Sequence, residues 1–259
     1  MASSMFSNAA LNGRPIHVIG GGSLGGDIAH MLFRKEVPEL HLWDFDVVQR
    51  HNLFNQRFED CDVNEKEPVL KIEAHARIMR NINPHSRTKL VLHAERVVAG
   101  IGLSGIVIAA VDWNRIRYEE VWPCVRMNPN VSFFADGRVG IDGGKAYGVD
   151  PNNENHVFHY EGDPLHNRLD PPNGEIEAAC KSDFPMPENA ALVAAEVLWR
   201  LTRWLHLEQG SHDPYDNFVG WQFRSRRTTL TEQWDKGTIR TMHTLRDGIA
   251  IAENETEGD

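Results

Sequence analysis

Apolar residues along the chain fall into short runs and spaced stripes of two different periods. Ile16–Ile19 is a short apolar run stopped by Gly20, Gly21 and Gly22, the pattern of a buried strand entering a tight turn. From about Leu24 the period lengthens: Leu24, Ile28, Met31, Leu32 and Phe33 recur at three- and four-residue steps, which predicts a helix with one buried stripe ending at Val37 and Pro38. Residues 40–44 follow as a second strand ending in Asp44. Strand, glycine turn, helix and strand make a βαβ unit, which requires a right-handed crossover and parallel pairing.

Farther on, residues 69–82 predict a helix burying Ile72, Ala76, Met79 and Ile82, or a nearby face, and closed by Asn83 and Pro84, and residues 90–92 a third strand. Residues 105–111 form a continuous apolar run ending at Asp112, as expected of a central parallel strand covered on both faces. A helix over 116–127 and a strand over 131–134 come next. Between 137 and 187 Gly, Pro, Asn and Asp dominate, predicting strands that lie over the sheet and a long surface loop. Residues 188–207 carry Leu192, Ala195, Leu198, Leu201 and Leu205 in helical step, with Gly210 marking the end. Residues 218–234 read as one or two edge strands, and 253–259 as a disordered acidic tail. The fold class is α/β: a Rossmann-like, mostly parallel sheet flanked by helices, with additional antiparallel strands in the C-terminal half. One domain spans 1–252, with a core over 15–208 and a strand extension over 209–252.

Composition narrows the function. With 259 residues, 41% apolar and 25% charged, the chain builds one substantial core. A net charge of -10 argues against a nucleic-acid backbone as the main partner. The first fifteen residues lack the basic and apolar sections of a secretory leader, and no stretch is long enough to span a bilayer, so a soluble, cytoplasmic protein is expected. Three cysteines, Cys61, Cys124 and Cys180, exclude a four-thiolate zinc site within one chain. Cys124 is expected in the core, and Cys61 between Asp60 and Asp62 is disfavoured as a thiolate. The thirteen histidines contain no H-E-x-x-H pair; His156, His159 and His166 read as surface residues or as a local structural feature. Trp221, Phe223, Arg224, Arg226 and Arg227 fit either a partner contact or a solvated edge strand.

Gly20, Gly22 and Gly25 have the G-x-G-x-x-G spacing between a strand and a helix, where backbone can approach a phosphate at a helix N-terminus. Asp44, ending the second strand, stands where such folds place an acid for ribose hydroxyls. These residues suit NAD and ATP equally, and the glycines alone also fit a turn without a ligand.

The stretch Asp44, Asp46, Val48, Asn52, Leu53, Asn55 and Gln56, then Lys71 opening a helix that closes in Ile82-Asn83-Pro84, resembles the ThiF/MoeB and ubiquitin-activating-enzyme superfamily. Asp112, Asn114 and Arg117 resemble its D-N-x-x-x-R motif with the asparagine displaced by one. The likeness covers about residues 15–140. It implies ATP-dependent adenylation of a carboxylate, that of the C-terminal glycine of a small ubiquitin-like (β-grasp) or sulfur-carrier protein. By resemblance Asp112 holds Mg²⁺, Lys71 contacts the α-phosphate and ribose, and Asp44 holds the ribose. Asn52 and Gln56 face the polyphosphate, and Asp46 and Asn55 belong to the same nucleotide-contacting segment. Taken singly, Asp112 also reads as a helix N-cap, Lys71 as a solvated lysine, and Asn52 and Gln56 as turn residues. A homodimer and a downstream conjugating enzyme are further implications of the resemblance.

Two departures and one cysteine matter. The family arginine of N-L-x-R-Q is Asn55 here, and Arg57, Arg14 or a partner subunit would have to supply its charge. The paired C-x-x-C zinc motif of many members is absent. Cys180, in a loop before the long helix, is either an acyl-accepting nucleophile, as at a comparable place in relatives, or an inert thiol. Two further readings stay open: a non-catalytic subunit that binds a ubiquitin-like protein, and adenylation of a different acceptor such as a peptide C-terminus or a modified tRNA base.

Overall fold

Ile16–Ile19 (β1) is buried at every position and pairs in parallel with Glu39–Trp43 (β2) on one side and Gly105–Ala109 (β4) on the other. Lys89–His93 (β3) extends the parallel sheet beyond β2, and Val131–Val139 (β5) extends it beyond β4. The computed structural model describes residues 8–140, 143–162, 187–210, 216–222, 228–234, 239–246 and 249–256. From β5 the sheet continues antiparallel through Gly143–Val149 (β6), Phe218–Gln222 (β7), Thr228–Gln233 (β8), Ile239–Arg246 (β9) and Ile249–Thr256 (β10). The result is one α/β sheet of ten strands in the order β10-β9-β8-β7-β6-β5-β4-β1-β2-β3.

The chain leaves β1 toward β2 and returns on the other side as β4. The connections therefore diverge above the C-terminal ends of β1 and β4, which is where open α/β sheets form a crevice. Ser23–Arg34 (α1) links β1 to β2, and Lys71–Ile82 (α2) precedes β3. Gly20 makes the turn between β1 and α1 at φ +100°, with its N–H bonded to Trp43 O at 2.8 Å. A Cβ on Gly25 would sit 1.8 Å from the Gly20 carbonyl oxygen, so only glycine lets the helix approach the turn this closely.

Two cores lie on the two faces of the sheet. One packs α1 and Pro187–Glu208 (α5) through Ile28, Leu32, Val193, Val197 and Leu201. The other lies under a π-helical stretch, Ile116–Val121, that runs into Trp122–Val125 (α3), and under Glu154–Gly162 (α4); it holds Val107, Trp122, Phe134, Tyr147 and Trp234. Among the described residues no helix is long and apolar enough to cross a membrane.

Several predicted details change. In α2 the buried positions are Ile72, Ala74, His75 and Met79, whereas Ala76 is half-buried and Ile82 exposed, because the helix packs on α1 through the polar side of the predicted stripe. In α5 the buried stripe runs through Ala190, Val193, Ala194, Val197, Leu198, Leu201 and Leu205; Leu192 and Ala195 face outward. The contact with α1 and β5 selects small and branched side chains that fit close packing. Within the expected edge strands of 218–234, Phe218–Gln222 and Thr228–Gln233 form interior strands β7 and β8, since β9 and β10 pair outside them. Glu253 to Thr256, expected in a disordered tail, continue β10, where Glu255 stands opposite Arg240 in the ladder. His156 and His159 are buried rather than superficial, with His159 stacked on Trp234. His166 lies outside the described residues.

Candidate functional site

The crevice above β1 and β4 opens as two adjoining clefts. The larger, about 440 Å³, runs from Gly22, Ser23 and Leu24 past Asn52, Asn55 and Gln56 to Arg117 and Arg138. The smaller, about 340 Å³, is bounded by Trp43, Asp44, Arg96 and Val97. Gly22, Phe45, Asp46, Lys71 and Asp112 line both. The sequence thus brings Gly20, Gly22, Asp44, Asp46, Asn52, Asn55, Gln56, Lys71 and Asp112 to one rim of the sheet. Gly25 lies beneath it, under Gly20.

Local pairing puts Lys71 there. The segment after β2 meets the segment before α2 in a short antiparallel bridge, Val47 with Leu70, and Val48 N–H donates to Val69 O at 2.8 Å. Lys71 N–H then donates to Asp46 O at 2.9 Å, and its ammonium reaches Asp46 Oδ2 at 2.9 Å. Burial works against the charge on Lys71, but the carboxylates of Asp44, Asp46 and Asp112 outweigh it and raise its pKa. Asp44 is pulled the other way: burial raises its carboxyl pKa against the stabilising influence of Lys71 and of two backbone donors, Asp46 N–H at 2.7 Å and Gly21 N–H at 2.6 Å.

The N-terminus of α1 has no side-chain cap and no acid in its first turn. Its free N–H groups and helix dipole favour an anion in the larger cleft. Ser23 Oγ donates to Asn55 O at 2.6 Å, joining this terminus to the turn that carries Asn55 and Gln56. The Asn55 Oδ1 and Gln56 Oε1 atoms are buried without a hydrogen-bond partner, an arrangement that calls for an occupant. Asn52 has a local duty: its Oδ1 accepts the Gln49 N–H at 2.9 Å and caps the 3-10 helix Arg50–Phe54. Lysine, carboxylates and backbone donors around a cleft of this size suit a nucleotide triphosphate, and a carboxylate such as Asp112 is the hard oxygen ligand that Mg²⁺ takes.

Arg57 and Arg14, expected as stand-ins for the arginine replaced by Asn55, are both engaged away from the clefts. Arg57 pairs with Asp27 on α1 and does not line either cleft, and Arg14 pairs with Glu208 at 2.6 Å on another part of the surface. Arg117 and Arg138 line the larger cleft instead. Both grip the fully buried Asp136, Arg117 Nε at 2.6 Å and Arg138 Nε at 2.8 Å. Arg138 also donates to Tyr118 OH at 2.7 Å and lies 4.8 Å above the Tyr147 ring. Burial opposes ionisation of Asp136, yet the two guanidiniums win and lower its pKa. Two cations against one anion leave this end of the cleft positive. Sequence reading missed Asp136 and Arg138; the available signal was a pair of charges on one face at the C-terminal end of an otherwise apolar strand.

Cys124 is buried, its thiol 3.2 Å from the Val98 and Glu120 carbonyls, and burial pushes its pKa up. Cys180 lies outside the described residues, as do the side chains of Trp221, Phe223, Arg224, Arg226 and Arg227. Among the described residues the one grouping of metal-ligand type, Glu59, Cys61 and Asp62, has both its carboxylates paired with Arg77, at 2.8 and 2.9 Å.

The ThiF family model matches residues 8–128. The fold is similar to that of E. coli MccB solved with ATP, at 15% identity and a TM-score of 0.57 over 92% of this chain and 65% of that one. It is also similar to E. coli MccB with MccA-N7isoASN, at 16% identity and a TM-score of 0.61 over 92% and 66%. PaaA matches at 12% identity and a TM-score of 0.55 over 96% and 74%. The chain spans about two thirds of the length of the MccB structures. No curated protein matches it in sequence.

Proposed function

Because residues 8–128 are a ThiF-family domain, we propose that the chain binds ATP in the crevice and adenylates the C-terminal carboxylate of a small ubiquitin-like or sulfur-carrier protein. The observation that carries this reading is Lys71, kept charged by Asp44, Asp46 and Asp112 in a cleft that also holds the uncapped N-terminus of α1. Adenosine would occupy the smaller cleft, with Asp44 toward the ribose, and the phosphates would lie in the larger one against α1.

In the proposed reaction an oxygen of the acceptor carboxylate bonds to the α-phosphorus while the bond to the bridging oxygen of pyrophosphate breaks. No proton is transferred. Two anions must meet, so the protein's task is to offset their repulsion and the charge growing on the leaving group. Lys71 and the α1 N–H groups act at the α-phosphate. Arg117 and Arg138 make the far end of the cleft cationic, taking the place of the charge that Asn55 lacks. Asp112 would hold Mg²⁺, which when bound would supply positive charge against that growing on the pyrophosphate.

The test is incubation with ATP, Mg²⁺ and candidate β-grasp proteins ending in glycine, followed by intact mass. An acceptor gaining the mass of AMP supports the reading; a protein that binds no ATP in calorimetry refutes it. Transfer of the acyl group to Cys180, with release of AMP as the thiolate attacks the acyl carbon, would give a dithiothreitol-sensitive conjugate absent in Cys180→Ala. The enzyme is proposed to act as a homodimer, which a monomeric mass in solution would contradict.

A second reading keeps the chemistry and changes the acceptor. The matched MccB has been solved with MccA as well as with ATP, which favours an acceptor of the MccA kind. Short peptides with free C-termini in the same mass assay separate the two.

A further inference from the structure

The glycine turn is held from behind by a pair of buried histidines. Both backbone polar groups of Gly21 are engaged by side chains: its N–H donates to Asp44 Oδ2 at 2.6 Å, and its carbonyl oxygen lies 2.9 Å from His75 Nε2. The other nitrogen of that ring, Nδ1, lies 3.2 Å from His30 Nε2. A carbonyl oxygen only accepts, so His75 Nε2 carries its proton. His75 Nδ1 is then the acceptor, and His30 Nε2 carries the proton given to it. One chain of bonds, His30 to His75 to Gly21, therefore fixes the tautomer of both rings.

The surroundings are built for this ring. A Cβ on Gly26 would come 2.5 Å from His75 Cε1, so α1 admits the imidazole only because residue 26 is glycine. Phe58 packs on the ring with centroids 4.6 Å apart. Burial lowers the pKa of His75 to about 4 and that of His30 to about 3, so both are neutral at ordinary pH, as the donor-acceptor chain requires. A histidine that merely filled the core would need none of this. Leucine fills such a volume without two nitrogens to satisfy.

We infer that His75, backed by His30, is a positioning residue that sets the Gly21 peptide and so aims the N–H groups at the start of α1 into the cleft. His75 lines neither cleft, so it would act through the turn. The inference rests on the ATP reading above. Fixing a peptide before the ligand arrives removes an ordering cost from binding.

The test compares His75→Leu with His75→Gln by calorimetric titration with Mg·ATP, with melting temperature as the control for folding. His75→Leu should weaken ATP binding on the order of tenfold, the worth of one well-made hydrogen bond. His75→Gln, whose amide can still donate to Gly21 O, should stay within about threefold of the original protein, a smaller step than losing that bond. A folded His75→Leu that binds ATP as tightly as the original overturns the inference, and so does a His75→Gln as weak as His75→Leu. Should His75→Leu not fold, long-range ¹H–¹⁵N spectra of the histidine-labelled original protein decide the matter: protons on Nε2 of both rings support it, and a proton on His75 Nδ1 overturns it. An original protein that binds no ATP refutes the nucleotide reading instead and leaves the tautomer spectra to judge His75.

Discussion

Lys71 and Asp46 are bonded at two levels, backbone N–H to carbonyl at 2.9 Å and ammonium to carboxylate at 2.9 Å, so the lysine enters the crevice already oriented and charged. A charge fixed before the reaction needs no reorganisation when the α-phosphate gains negative charge. Lys71→Met keeps most of the bulk and removes the charge. Acceptor-dependent pyrophosphate exchange should fall by about 10²–10³-fold, the range of about 2.7–4 kcal/mol typical for one preorganised electrostatic group. Exchange within a few-fold of the original would remove Lys71 from the mechanism.

Asp112, just beyond β4, lines both clefts, and in the proposed reading it would hold Mg²⁺. Asp112→Ala should abolish exchange at every Mg²⁺ concentration. ATP binding measured in EDTA should change little, because the metal that Asp112 would hold is absent there. Equal losses with and without Mg²⁺ would show that Asp112 contacts the nucleotide directly or holds the fold.

Arg117 and Arg138 share the buried carboxylate of Asp136. Asp136→Asn removes the buried anion and leaves two largely buried guanidiniums facing each other, a change of about 3–5 kcal/mol in stability for a broken buried pair. The urea midpoint should drop accordingly. The double variant Asp136→Asn, Arg138→Met should recover part of the loss, since it removes one of the stranded charges. A double variant no more stable than the single one would mean that the cluster is held by something other than charge balance.

The parallel half of the fold and the glycine turn were legible because their signals are local. Ile16–Ile19, the three glycines and Asp44 lie within one βαβ unit, and their geometry follows from neighbours in sequence. The cationic end of the cleft was not legible, because Arg138 is made tolerable by Asp136, Tyr118 and Tyr147 together, side chains that come from three separate elements. The stripe of α5 was misphased for a related reason. Two packing partners give the helix a wide buried face on which Ala190, Ala194 and Val197 matter as much as leucines, while Leu192 and Trp199 stay exposed. The antiparallel half was legible only in outline: residues 218–234 were expected as edge strands, but β9 and β10, which pair outside them, were not placed one by one, because their ladders join segments rich in threonine and charge, whose pairing depends on partners rather than on apolar alternation.

Stability should fall with acidification through the histidine range. His17, whose pKa burial and the neighbouring His41 and His93 lower to about 4, joins His30 at about 3 and His75 at about 4. Each folded value lies below the ordinary 6.5, so between 6.5 and about 4 the unfolded chain binds protons that the folded one refuses. Their contribution is fully present above 6.5 and is lost as pH falls toward 4. Asp27 and Asp44, whose carboxyl pKa values burial raises, work in the opposite sense at the acid end. Urea midpoints should therefore decrease steadily from pH about 7.5 to about 5, with up to about three protons taken up on unfolding. A flat profile would show that these rings are open to solvent.

Gly25 and Gly22 belong to the same motif but should fail in different ways. A Cβ at position 25 would meet the Gly20 carbonyl oxygen at 1.8 Å, a backbone atom that cannot move without opening the turn. Gly25→Ala should therefore lower the melting temperature and weaken ATP binding together. At Gly22, which lines both clefts, a Cβ meets nothing within 4 Å. The protein itself gives no reason for glycine at 22; a phosphate approaching the backbone there would. Gly22→Ala is expected to keep its melting temperature and lose ATP affinity, because the added methyl occupies space that the nucleotide needs. Retained affinity in Gly22→Ala would move the triphosphate away from this turn, and with it the role assigned to the start of α1.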